Sequence, residues 1–156
     1  MPHIHEKIDF TVEVFIVYKN TVLLRKHDKY NIWLSVGGHI ELDEDPNHAA
    51  IREVKEEVGL DIELYNPFHY EMEQSSTYHE LIPPFFLNRH TIHEAHQHIT
   101  LTYFAKAPTN EIHQITAEEK SNELRWFTEE DLKQKKDLSQ HVRMYAQKAL
   151  EELQEA

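Results

Sequence analysis

The chain has no cysteine. That excludes disulfides, thiolate nucleophiles and cysteine-type zinc sites, and it suits a reducing cytoplasm, the expected location. Basic residues are few: 16 Lys and Arg stand against 28 Asp and Glu, a formal net charge of −12. Such a field repels a nucleic-acid backbone, so no nucleic-acid polymer is expected as a partner. A small anionic ligand stays admissible if metal ions screen the charge locally. No apolar run approaches the length of a membrane span, and the start, MPHIHEKIDF, has no apolar signal core, so no membrane partner is expected either. Glycine is scarce as well, with 3. Its three copies, Gly37, Gly38 and Gly59, lie at the two ends of one segment. Glycine serves where a chain needs positive φ or close backbone approach, and this chain concentrates that need in one place.

What the chain does have is a globular composition, 40% hydrophobic, over 156 residues. That fits a single domain spanning 1–156. It is also rich in histidine, with 13. Residues 9–18 read as a strand, Lys19-Asn20 as a turn and 21–25 as a second strand, together a hairpin. Residues 32–36 deliver the chain to Gly37-Gly38. Asp45-Pro46 is a helix start, and Gly59 sits where a left-handed cap ends a helix over 46–58. Residues 61–65 begin another strand. Residues 66–95, with Pro67, Pro83 and Pro84, read as irregular connections with one strand near Tyr78. Strands follow at 99–105 and 123–127. Thr128 to Asp131 resembles a capping box, and 141–153 an amphipathic helix.

On the helix over 46–58, Glu53, Glu56 and Glu57 fall within about a third of the circumference at roughly 100° per residue. Ala50, Ile51, Val54 and Val58 occupy the adjoining arc, which can pack on a sheet. Three carboxylates at these spacings repel each other, and two of them sit in the last turn, where the helix dipole disfavours negative charge. A hard divalent cation would remove the conflict. A solvated acidic face with Arg52 and Lys55 as counter-charges is the other reading of the helix alone. The preceding glycine pair favours the cation, because it lets backbone groups approach a metal or phosphate. Arg52 can also bridge back to Glu44.

Gly38, five residues, Glu44, seven residues, Arg52-Glu53-Val54, one residue, Glu56-Glu57, one residue and Gly59-Leu60 reproduce the spacing of the Nudix box, so the chain resembles the Nudix hydrolase family (MutT-like). The hairpin before the box and the ELRWFTEEDL segment after it extend the likeness. Asp43 stands where many members carry a second glycine, outside the defining positions. The resemblance implies an α/β fold, the Nudix α/β/α sandwich with a mixed, partly curled β-sheet between helices. It implies Glu53 and Glu57 as metal ligands, Glu56 as a ligand or general base, and the Gly38 carbonyl as a further ligand. Arg52 and Glu44 would orient them. The cofactor would be Mg²⁺ or Mn²⁺. The reaction would be hydrolysis of a diphosphate linkage in a nucleoside diphosphate linked to X. The family often adds a glutamate on a later loop, for which Glu118 and above all Glu119 are candidates, against an ordinary acidic turn.

Arg25 and Lys26 are candidate phosphate contacts, against a plain surface role. His90, His93, His96 and His98 cluster, but their spacing fits neither one helix face nor one strand face. A transition-metal site competes there with a polar loop entering a strand, and His96 or His98 could instead contact substrate phosphate. Tyr30, Trp33, Phe85 and Phe86 are core residues or base-stacking groups, and Trp126 is expected in the core. Expected partners are a small nucleotide-type substrate and, compatibly with this size, a second copy in a homodimer. A non-catalytic nucleotide- or metabolite-sensing module on the same fold is the alternative function. The three intact glutamates count against it, since sensing has no need of them.

Overall fold

The computed structural model describes residues 4–68, 70–114 and 123–155. Its centre is a pair of long strands, β1 (Ile8–Tyr18) and β7 (His96–Lys106), hydrogen-bonded in parallel from Ile8↔Gln97 to Val17↔Lys106. The chain turns back from β1 into β2 (Thr21–His27) through Lys19 and Asn20, at φ 42° and 63°. Positive φ at both central residues is the turn that matches strand twist in a two-residue hairpin. β1 and β2 then part company after two pairs, Val17↔Val22 and Tyr18↔Thr21. One run of chain bridges the divergence: β3 (Ile32–Leu34) pairs with the end of β2, and after Ser35 β4 (Val36–His39) pairs with the start of β1. This splitting is the curl of the sheet, and it lays Gly37 and Gly38 inside a strand rather than after one.

The sheet is mixed. β5 (Glu63–Leu64) and β6 (Phe86–His93) run antiparallel to β7, and β8 (Glu123–Phe127) runs antiparallel to β2. Strand residues alternate between two faces, and each face has its own core. Val12, Val14, Ile16, Leu23, Val36, Tyr103 and Ala105 pack under α1 (Pro46–Val58) with Ala49, Ala50, Val54 and Val58. Phe15, Val17, Val22, Leu24, Phe104 and Phe127 pack under α2 (Glu129–Gln134) and α3 (Gln140–Glu152) with Leu132, Val142, Tyr145, Ala146 and Ala149. The result is the α/β/α sandwich. Among the described residues no helix is long and apolar enough to cross a membrane.

The helix ends follow their local signals. Asp45 accepts the His48 N–H at α1, and Gly59 closes the helix at φ 72°. At α2 the Thr128 side chain accepts the Asp131 N–H while Asp131 accepts the Thr128 N–H. Thr128→Ala, which breaks this reciprocal pair, is expected to cost about 1 kcal/mol, a fall of roughly 2–4 °C in Tm by thermal denaturation.

Four expectations are corrected. The 66–95 region holds a full strand, β6, and near Tyr78 only an isolated bridge, Gln74↔His79. β6 was hidden because most of its residues are exposed, so it lacks the alternation that marks a half-buried strand. The histidines accordingly sit on a β6–β7 hairpin, with His90 opposite His98 and His93 opposite His96. Finally, Ile51 is 42% exposed. The buried arc of α1 is centred nearer Ala50 and Glu57 and takes in Ala49 instead. The strand at 61–65 shortens to Glu63–Leu64.

Candidate active site

α1 buries two of its three carboxylates. Glu53 and Glu57 lie on the sheet-facing side, whereas the Glu56 side chain is 56% exposed. Buried acids need partners, and two arginines supply them. The Arg52 guanidinium donates through Nε and Nη2 to both Glu44 oxygens (2.9 and 2.5 Å) and through Nη1 to Glu53 and Glu56 (3.1 Å each). Its Nη2 also reaches the His39 carbonyl (3.0 Å). From β2, Arg25 Nη1 donates to Glu57 Oε2 at 2.9 Å. The Glu41 N–H donates to Glu44 Oε1 at 2.9 Å, which fixes the loop between β4 and α1.

The electrostatics follow these contacts. The Arg52 hydrogen bonds hold the Glu44 carboxyl below its ordinary range, against the effect of partial burial. Arg52 is in turn held protonated, chiefly by Glu44. Glu53 moves the other way: burial pushes its pKa up, and the nearby Arg52 only partly offsets this. Desolvation thus outweighs one shared guanidinium. A further cation beside Glu53 would favour its charged form.

The glycines explain how such a cation could be reached. A Cβ on Gly38 would lie 2.6 Å from Glu53 Oε2 and closer still to Oε1, so the bare backbone of β4 lies directly against that carboxylate. A Cβ on Gly37 would instead run into the Val12 carbonyl and come within 2.8 Å of Glu13 Cα. Gly37 is thus required by strand packing and Gly38 by the site. Oxygen donors from Glu53, Glu57 and Glu56, beside a main chain free of side chains, fit a hard divalent cation.

The structure therefore brings Gly38, Glu44, Arg52, Glu53, Glu56, Glu57 and Arg25 together. It does not bring Lys26, His96 or His98 to them. Lys26 alternates to the opposite face, where its Nζ lies 5.9 Å from the Trp33 ring centroid. His96 and His98 face the same side as Phe104, away from α1. Glu118 and Glu119 lie outside the described residues. Trp33 is buried, while Phe85 stacks on Phe104 and Phe86 on Tyr145, so these three serve the core. Tyr30 is 60% exposed.

Sequence reasoning missed a polar stripe beyond the α3 core. From β1 come Asp9, Thr11 and Glu13, and from β7 His98, Thr100 and Thr102, in register. Thr11 and Thr100 share a 2.7 Å hydroxyl bond, and Glu13 accepts from Thr102 (2.6 Å) and Ser35 (2.9 Å). A signal was available: two strands in which every second residue is polar while the residues between are mostly apolar.

A model of the NUDIX domain matches residues 9–148. The crystal structure of a NUDIX-family hydrolase from Clostridium perfringens superposes with a TM-score of 0.82, at 36% identity over 94% of this chain and 98% of that one. A MutT NUDIX hydrolase from Burkholderia pseudomallei, 21% identical, shares the fold with a TM-score of 0.62 over 95% and 99% of the two chains. A dihydroneopterin triphosphate diphosphatase from Haemophilus influenzae is 38% identical over 78 residues, 48% of this chain and 49% of that protein. The chain thus spans about half the length of the curated relative it matches.

Proposed function

We propose, since the chain belongs to the NUDIX family, that it is a pyrophosphohydrolase: it cleaves the diphosphate linkage of a small nucleotide-type substrate by attack of water on phosphorus. The observation that carries this reading is the pair of buried carboxylates, Glu53 and Glu57, with Glu53 set directly against the bare Gly38 backbone. Glu53, Glu57 and Glu56, with the Gly38 carbonyl, would hold Mg²⁺ or Mn²⁺. When bound, such a cation neutralises phosphate charge and makes a bound water more acidic. Glu56, the exposed member, accepts the proton that the attacking water releases. The new bond joins that water oxygen to phosphorus, and the bridging P–O bond breaks. Arg52 and Glu44 hold Glu53 and Glu56 in position, and Arg25 does the same for Glu57. The likeness to a dihydroneopterin triphosphate diphosphatase makes triphosphates, of a nucleoside or of a pterin carrying a sugar-like side chain, the first substrates to try.

The test is turnover. Purified protein with Mg²⁺ or Mn²⁺ is assayed for released phosphate and pyrophosphate across nucleoside triphosphates, dihydroneopterin triphosphate and nucleotide-linked metabolites. Activity that disappears with a chelator and returns with the metal supports the proposal. Tight nucleotide binding with no turnover on any of them would instead establish a sensing module.

Arg52 gives a finer prediction. Lysine keeps the charge but cannot donate to Glu44, Glu53, Glu56 and the His39 carbonyl at once. Arg52→Lys is expected to lower kcat/KM by about 10- to 100-fold. An unchanged rate in steady-state kinetics would show that Arg52 is not what orients the carboxylates.

A further inference from the structure

A buried cluster that the reaction does not use lies where the N-terminal ends of β1 and β7 meet β4. Asp9 is fully buried. Its Oδ2 lies 3.1 Å from His39 Nε2 and 3.3 Å from His96 Nε2. Asp9, His39 and His98 each offer a ligand atom within 4.8 Å of the others. The His98 ring centroid is 5.0 Å from that of His39 and 5.2 Å from that of His96. Three imidazoles from two strands thus surround one carboxylate.

We propose that Asp9, His39, His96 and His98 form a binding site for a divalent transition metal of the zinc class, separate from the carboxylates of α1. The spacing supports it. In a tetrahedral site with metal–ligand distances of about 2.0–2.1 Å, neighbouring ligand atoms are about 3.3–3.4 Å apart. The two measured separations from Asp9 Oδ2 are close to that edge. The supporting hydrogen bonds are also those of a metal site. His96 Nδ1 lies 3.1 Å from the Glu6 carbonyl, which can only accept, so Nδ1 carries a proton and Nε2 is the nitrogen left to ligate. The Asp9 carboxylate accepts the backbone N–H groups of Ile4 (3.2 Å) and His5 (2.5 Å). Imidazole with a single carboxylate suits Zn²⁺, Co²⁺ or Ni²⁺, whereas Mg²⁺ prefers oxygen donors throughout. Four protein ligands close the coordination sphere, so the metal's role is structural. It would tie residues 4–6 and β1 to β4 and β7.

The experiment uses tag-free full-length protein titrated with Co²⁺. The expected result is one Co²⁺ per chain with the visible absorption of tetrahedral cobalt, displaced by one equivalent of Zn²⁺ and unaffected by excess Mg²⁺. His98→Ala is expected to weaken Co²⁺ binding at least 100-fold, and Asp9→Asn to do the same if it folds. His98 is only partly buried, so its alanine variant decides the matter if Asp9→Asn fails. Glu53→Gln and the exposed-site variants His48→Ala and His79→Ala are expected to keep the tetrahedral signal. No tetrahedral signal in the wild type, or a signal that survives in His98→Ala but vanishes in Glu53→Gln, would overturn the proposal. The cluster would then be a hydrogen-bonded charge network.

Discussion

Glu57→Gln is expected to lower kcat/KM by on the order of a thousandfold, about 4 kcal/mol of transition-state stabilisation, while the protein still folds. The substitution keeps shape and removes charge. A glutamine oxygen can still accept the Arg25 N–H that Glu57 Oε2 accepts at 2.9 Å. Two effects on stability oppose each other: Arg25 loses an ion pair in a largely buried setting, and Glu53 loses a like-charged neighbour. The apo Tm should therefore move by only about 2–4 °C. The metal response separates this from a folding defect. Mg²⁺ at a hundred times its Kd should stabilise the wild type by about 2.7 kcal/mol, and that gain should be largely absent in the variant. A variant that keeps more than a tenth of wild-type activity would remove Glu57 from the metal-holding set.

Gly38→Ala and Gly37→Ala form the second test, because two adjacent glycines should fail in different ways. The methyl of Gly38→Ala meets the end of a flexible side chain, the Glu53 carboxylate. That group can swing aside, so folding survives but the carboxylate leaves its position. A displacement near 1 Å at a reacting centre costs about 100-fold in rate. The methyl of Gly37→Ala meets backbone, the Val12 carbonyl and Glu13 Cα, in the middle of the β1–β4 ladder. Backbone cannot step aside without breaking the pairing, so about 3 kcal/mol of stability should be lost. Parallel denaturation and kinetics on the two variants check this. Equal losses of stability would refute the assignment of one glycine to packing and the other to catalysis.

The helix and its carboxylates were legible because their signals are local. Asp45, Pro46 and Gly59 mark both ends of α1 within a few residues, and fixed spacing defines the acidic side. What spacing could not tell is that Glu53 and Glu57 lie on the buried arc. An outward-facing acidic side is the ordinary expectation, and the approach of Arg25 from β2 and Arg52 from α1 helps make burial tolerable. The parallel pairing of β1 with β7 joins residues almost ninety positions apart, as in Thr11↔Thr100, and no local pattern announces it. The polar stripe and the Asp9 cluster depend on that pairing, so they were unreadable as groups although each residue was in view. β6 failed for a different reason, its exposure at the sheet edge.

His39 has a consequence for how this chain can change. Its carbonyl accepts from Arg52 on the α1 side, and its ring reaches Asp9 on the other. Strand residues alternate in direction, so inserting or deleting one residue between Ser35 and His39 would turn every side chain of β4 to the opposite face. Gly37 and Gly38 would trade positions with residues that carry side chains, and His39 would leave Asp9. A single substitution at Gly37 or Gly38 harms one face of β4, but a change of length there would dismantle both faces in a single step. Insertions and deletions should therefore be tolerated in the exposed 73–79 stretch and rejected in these five residues.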